Sequence, residues 1–354
     1  MYHKTYHGES VQTIKPTALI ILDGFGYRKE TRDNAIAHAK TPTLDFLYTQ
    51  YPHTLLNASG TAVGLPEGVI GNSEVGHMTI GCGAIIPQPI TQLLAMIKEN
   101  TLASYPPLLD ALSQAINNGA SRIHIMGLLS DASVHSHSAL FIALIHIAHQ
   151  AGASAVIAHP FLDGRDVAPQ SAIQYLTELD QSLKNYSNSF IGSLHGRYYA
   201  MDRNNNWQRT RKSYEILTHN TAKESVSWQS IINESYRNGI TDEFIIPVQI
   251  TPDTAIAPHD TIIFCNTRPD RARQLTKLLY ERQTNFPAIK QHIITPILYE
   301  PSLKTIPLIQ YETVSPTLKT ILLDHQYRFF AIAETEKYAH ITYFFNGRSE
   351  ALCA

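Results

Sequence analysis

The chain has 354 residues, 44% of them hydrophobic and 16% charged, enough apolar material to bury a core in more than one domain. A net charge of −2 supplies no basic field for nucleic acid or an anionic membrane surface, so an anionic ligand must be held by local arginines. Three scattered cysteines (Cys82, Cys265, Cys353) form no C-x-x-C pair, the N-terminus has no apolar signal core, and the apolar runs are far too short for a bilayer; a reducing cytoplasm is the expected compartment.

Short runs rich in Ile, Val and Phe alternate with longer amphipathic stretches, the pattern of buried parallel strands joined by helices, and the expected class is α/β. Strands are expected over 18–22, 122–129, 155–159, 190–194, 261–265, 292–294 and 328–333, and helices around 42–50, 90–99, 106–118, 138–151, 169–184, 208–217, 270–283 and 316–325. Thr41-Pro42 and Ser315-Pro316 each offer a hydroxyl at the N-cap and proline at the first helical position. The stretches 83–90 and 300–308 have linker character, which would make the segment between them an insertion into a domain built from the flanking pieces.

Five constellations along this frame carry chemistry. In "ALIILDGFG" an apolar run ends in Asp23 with glycines beside it; such a carboxylate either ligates a divalent cation at a strand's carboxyl end or merely starts a turn. In "GNSEVGH" Ser73 precedes a helix expected through 75–80, where it is either the N-cap or a nucleophile whose attacked phosphate the helix amides would hold. "LLSDASVHSHSA" places His135 and His137 two residues apart before a helix, as metal ligands, substrate contacts or a polar loop. "FLDGRD" (Asp163, Arg165, Asp166), "HGRYYAMDR" (Arg197, Asp202, Arg203) and "NTRPDRAR" (Arg268, Asp270, Arg271) each follow an expected strand; they form either a solvated network or a set of forked donors for a small phosphate- and carboxylate-bearing substrate. "ETEKYAHITYFFNG" would deliver Glu334, Lys337 and His340 to a strand's carboxyl end, where Lys337 could neutralise a phosphate or lower the Ser73 pKa.

Taken in this order, these motifs together with "GLPEGVIGNSEVGHMTIG" resemble those of the cofactor-independent (2,3-bisphosphoglycerate-independent) phosphoglycerate mutases, over essentially the whole chain. The resemblance implies an isomerase of glycolysis and gluconeogenesis that interconverts 3- and 2-phosphoglycerate. It implies an alkaline-phosphatase-like metal-binding domain (residues 1–87 and 309–354) interrupted by an inserted phosphotransferase domain (88–308). By the same resemblance Ser73 becomes phosphoserine, Asp23 and Ser73 ligate manganese, and Asp166 is the acid/base. His135, Arg165, Asp166, Arg197, Arg203, Arg268, Arg271 and Lys337 would hold phosphoglycerate. The partner implied is that small molecule, with no nucleic acid and no membrane.

The sequence also departs from the family pattern. Family members continue past the ETEKY motif through D-x-x-G-H-T-like and A-D-H-G-N-like segments that supply most ligands of two manganese ions, whereas after Lys337 this sequence has no Asp and one His, His340. Roughly four to six ligands are needed per divalent ion. The expectation is therefore a truncated product, with a frameshift near Gly347, and either low solubility or a separate chain that supplies the missing half. A phosphoglycerate binder without turnover is the alternative function; a phosphatase of the alkaline phosphatase superfamily is a third reading, which the arginine-rich insert argues against. Ala132-Ser133 stands where the family has Gly-Gly, restricting the loop before His135, while Thr267 replaces a usual Phe and Ala84 a common Arg.

Overall fold

The computed structural model describes residues 16–117, 122–285, 292–310 and 313–349; the N-terminal stretch through Lys15, residue 118 at the end of an expected helix, and the last residues with Cys353 lie outside them. The chain divides into two compact units, Met1–Leu56 and Asn57–Ala354.

In the first unit the helices are α1 (Ala35–His38) and α2 (Pro42–Gln50). Thr41 does not cap α2 through a backbone N–H; its hydroxyl donates to Asp45 Oδ1 at 3.1 Å. The strand expected over 18–22 is not formed. No strand among the described residues pairs with it, and an apolar run without a ladder partner cannot satisfy its backbone as a strand. Ile20 is accordingly 78% exposed.

The second unit opens with α3 (Ser73–Cys82), α4 (Pro89–Lys98) and α5 (Pro106–Asn117) and continues through β1 (Arg122–Leu129), α6 (Ser138–Gln150), β2 (Ala155–Leu162), α7 (Ala172–Leu183), β3 (Ser189–Ile191) and β4 (Ser193–Gly196). There follow α8 (Arg197–Ala200), α9 (Trp207–Thr218), α10 (Trp228–Arg237), β5 (Val248–Gln249), β6 (Thr261–Phe264), α11 (Arg273–Asn285), β7 (His292–Thr295), β8 (Ile306–Pro307) and α12 (Leu318–Asp324). The strands form one sheet in the order β5-β4-β2-β1-β6-β7-β8, with β3 also paired to β2. All pairings are parallel except β4 with β5. Every residue of β1 and β2 after the first is buried; because successive side chains point to opposite faces, both faces of the sheet are covered.

The chain leaves β1 toward β2 and β4 and later returns to β1's other side as β6. That reversal opens a crevice at the carboxyl ends of β1 and β6, where open parallel sheets bind ligands. The stretch 300–308, with linker character in the sequence, contains β8, which pairs with β7. The strand expected over 328–333 is absent; Phe330 and Ile332 are 84% and 79% exposed and have no ladder partner among the described residues. Nor does Ser315 cap a helix: α12 begins two residues after Pro316, with Thr317 and Thr320 forming a reciprocal capping box. Among the described residues no helix is long and apolar enough to cross a membrane.

A buried polar chain crosses the sheet. His124 Nε2 meets Asp260 Oδ2 at 2.9 Å, His124 Nδ1 meets His159 Nε2 at 2.8 Å, His159 Nδ1 meets Ser193 Oγ at 2.6 Å, and Ser193 Oγ meets His195 Nε2 at 2.7 Å. With neutral imidazoles one proton arrangement serves every link: each N–H or O–H donates toward the Asp260 carboxylate. Arg122 closes the chain by donating to Asp260 at 2.6 Å. Burial pushes the His195 pKa down to about 3 and takes that of His159 well below its ordinary value.

A folded-state pKa below the unfolded value means that the unfolded chain binds protons more readily. This contribution to stability is therefore complete above about pH 6.5 and is lost as pH falls toward the folded value. Urea unfolding should show the free energy falling by at least about 1.4 kcal/mol per pH unit between pH 6 and 5; a flat profile over that interval would contradict the neutral chain.

Candidate functional site

Ser73 is the first residue of α3 and not its cap: Asn72 takes that role, its Oδ1 accepting the Val75 N–H at 3.1 Å. The Ser73 side chain is thereby left to other partners, and Lys337 Nζ donates to Ser73 Oγ at 2.6 Å. Lys337 arrives on a 3₁₀ turn, Thr335–Lys337, and not on the expected strand. The helical segment that follows, His340–Phe344, packs against α3 so closely that a Cβ at Gly81 would collide with the Phe345 carbonyl. Glycine is required there for the Lys337 segment to reach Ser73.

The arginine motifs leave the carboxyl ends of β2, β4 and β6, with β1 between β2 and β6. After β2, Gly164 turns the chain in the left-handed region (φ +63°), and Asp163 Oδ1 accepts the backbone N–H groups of Arg165 and Asp166 at 3.2 and 3.0 Å. Asp163 is 1% exposed and Arg197, directly after β4, 2% exposed. Arg197 Nη1 donates to Asp163 Oδ1 and Asp166 Oδ2, both at 2.6 Å. Burial would raise the Asp163 pKa, but the Ser130 hydroxyl at 2.6 Å and the charge of Arg197 outweigh it and hold the carboxyl below its usual range.

After β6, Arg268 donates to Glu74 of α3 at 2.8 Å, and Asp270 lies 3.1 Å from Arg203 and 3.8 Å from His135 Nδ1. The His135 carbonyl accepts the Thr267 N–H at 2.6 Å, tying the loops after β1 and β6 across the crevice. Burial, opposed by Asp270 and reinforced by Arg197, Arg268 and Arg271, lowers the His135 pKa to about 3. Burial and then Arg203, Arg197 and Arg165 lower the pKa of Arg271. The guanidinium groups are thus close enough to repel one another, as expected of a site shaped for an anion. A cleft of about 350 Å³ joins the two regions, lined by Asn72 and Glu74 on one side and Arg203, Arg268 and Asp270 on the other.

The two histidines of "VHSH" part company: His135 faces Asp270, whereas His137 caps α6 by accepting the Ala139 N–H at 3.0 Å, so they form no metal pair. Ser133, where glycine is usual, holds a left-handed backbone (φ +58°), a strained conformation for a residue with a side chain. Arg165 is turned outward toward Glu243 at 3.5 Å. Asp163, Ser130 and Glu74 shape the site without having been assigned roles from the sequence. Asp163 and Glu74 lie inside the quoted motifs, but only the fold shows which arginine each acid takes.

Asp23 lies in an exposed turn of the first unit. Among the described residues no three or more His, Cys, Asp or Glu side chains gather as a metal site. Asp23 and Ser73 offer two of the roughly four to six ligands a divalent ion takes. The described residues do not fit the expected manganese centre.

Residues 94–313 match the family model described as BPG-independent PGAM N-terminus. A 2,3-bisphosphoglycerate-independent phosphoglycerate mutase of Trichodesmium erythraeum is 41% identical over 345 residues, covering 96% of this chain and 64% of the relative. Its counterpart in Methanosarcina barkeri is 43% identical over 349 residues, covering 96% and 67%. A crystal structure of Leishmania mexicana phosphoglycerate mutase at low cobalt concentration superposes with a TM-score of 0.73 at 27% identity, over 90% of this chain and 62% of that one. The chain thus spans about two thirds of the length of these relatives.

The two kinds of charge in the cleft predict opposite mutational outcomes. Asp163→Ala leaves the buried Arg197 with Asp166 alone and strips the acceptor from Ser130 and two backbone amides, and should cost about 2–4 kcal/mol in urea unfolding. Arg271→Met removes like-charge repulsion and, without added ligand, should be neutral or stabilising within about 1 kcal/mol.

Proposed function

Since the chain belongs to the 2,3-bisphosphoglycerate-independent phosphoglycerate mutase family, we propose that its cleft binds 3- and 2-phosphoglycerate and that Ser73 accepts the phosphoryl group during their interconversion. The observation that carries this reading is the cleft lined by Arg203 and Arg268 and by Ser73's own helix, with Arg197 and Arg271 near enough to Arg203 for their charges to act on one another. Guanidinium forks match phosphate and carboxylate oxygens. The ammonium of Lys337, bonded to Ser73 Oγ, favours the alkoxide that a nucleophile must become. Asp166, paired with the buried Arg197, is the proposed acid/base at the glycerate hydroxyls; His135, neutral and buried, is a proposed substrate contact. Arg165, half exposed, would turn inward to complete the cage.

The same reading assigns residues 88–308 to a substrate-binding domain inserted into an alkaline-phosphatase-like metal domain (1–87 and 309–354), supported by the family match over 94–313. By family resemblance the expected metal is a divalent ion, manganese, for which Asp23 and Ser73 are candidate ligands by sequence alone. The cell compartment is the cytoplasm. The lack of a gathered metal site among the described residues favours a second reading for these 354 residues on their own: phosphoglycerate binding without turnover.

Calorimetric titration with 3-phosphoglycerate, beside an enolase-coupled assay with added manganese, tests both. Binding should weaken about 10-fold or more in Arg203→Ala and in Arg268→Ala, each of which removes charge-assisted hydrogen bonds. Turnover that disappears in Ser73→Ala while binding persists is the result expected of the mutase; binding with no turnover selects the second reading, and no binding rejects both.

A further inference from the structure

The acidic residues around the arginines are held in two different ways. Asp163 and Asp166 are anchored: Asp163 accepts from Ser130, Arg197 and two backbone amides, and Asp166 from the buried Arg197. Glu74 is not. Its carboxylate has one partner among the described residues, Arg268 at 2.8 Å, and both side chains are about one-third exposed (33% and 31%). A pair that open to solvent is worth about 0–1 kcal/mol, so a stronger anion can separate it.

The position of Glu74 gives that separation a consequence. It is the second residue of α3, directly after Ser73, and it lines the same cleft as Arg203, Arg268 and Asp270. A phosphate or carboxylate entering the cleft needs the N–H donors that Arg268 now gives to Glu74, and a doubly charged, forked acceptor outcompetes a single carboxylate oxygen. We propose that Glu74 is a displaceable internal anion: it occupies Arg268 until a phosphate-bearing ligand takes the guanidinium. The identity of the ligand as phosphoglycerate rests on the reading above; the displacement does not.

The test is calorimetry on the full chain with two probes, inorganic phosphate and 3-phosphoglycerate, using wild type, Glu74→Gln, Arg268→Gln and the double variant, each checked for folding by thermal unfolding. Removing the competitor should tighten both probes about 3- to 10-fold, with an unfolding temperature close to wild type. The gain should vanish in the Arg268→Gln background. Unchanged or weaker binding in Glu74→Gln, or a gain that survives without Arg268, overturns the proposal, as does failure of both probes to bind Glu74→Gln. If phosphate binds more tightly to Glu74→Gln but 3-phosphoglycerate binds no better than phosphate, the substrate assignment fails and the displacement stands. If 3-phosphoglycerate binding depends on Arg203 and Arg268 but ignores Glu74, the reverse holds.

Discussion

The cleft depends on one costly arrangement, the burial of the Arg197 guanidinium at the carboxyl end of β4. A cation removed from water is tolerated only where paired carboxylates and hydrogen bonds replace its hydration. Asp163 and Asp166 do so from the neighbouring loop after β2, and their own positions are set by the turn at Gly164 and by Ser130 after β1. Three strand ends are thereby locked to each other by charge. The more exposed arginines, Arg203, Arg268 and Arg271, are arrayed about this fixed point, so the rigid part of the site is its floor and the adaptable part its rim.

What is legible in the sequence follows from how local each feature is. β1 can be read to the residue because a mostly apolar run, broken only by His124, with Arg122 and Ser130 at its ends and too short for a core helix, suits a buried parallel strand and little else. The runs at 18–22 and 328–333 carry the same signal yet form no strand, because a strand also needs a neighbour to pair with, and pairing is not written in the run itself. β5 and β8, two residues each, are too short for any periodicity to show. The helix α10 does carry an apolar stripe, Trp228, Ile231, Ile232 and Tyr236, so it is legible in the sequence although it is not among the expected helices. At α3 and α12 the capping chemistry is evident but falls on a neighbouring residue, Asn72 in place of Ser73 and Thr317 in place of Ser315, because several hydroxyl and amide side chains in a row compete for one role.

The candidate site shows the same division. Residue types and their order along the chain identify the arginines, Ser73 and Lys337, and the parallel sheet delivers the arginine loops to one edge as strand-end motifs should be. Which acid serves which arginine is not legible: Glu74 with Arg268, and Asp270 with Arg203, are pairings across more than half the unit's sequence or between separate loops. The divergence of His135 and His137 is of this kind too. Two residues apart in sequence, they serve different elements, because the loop after β1 closes through the Ser138 N–H to the Ser130 carbonyl and leaves His137 at a helix start.

The polar chain from Asp260 through His124, His159 and Ser193 to His195 has a bearing on how the sheet can change over generations. Each inner member is at once donor and acceptor, so replacing any one of them leaves a buried partner on either side unsatisfied. Single steps away from the chain are therefore deleterious, while joint replacement by apolar side chains of similar shape is close to neutral. β1, β2 and β4 each contribute to it, so their sequences are bound to drift together or not at all, a linkage between strands that hydrophobic packing alone, tolerant of volume-conserving swaps, would not impose.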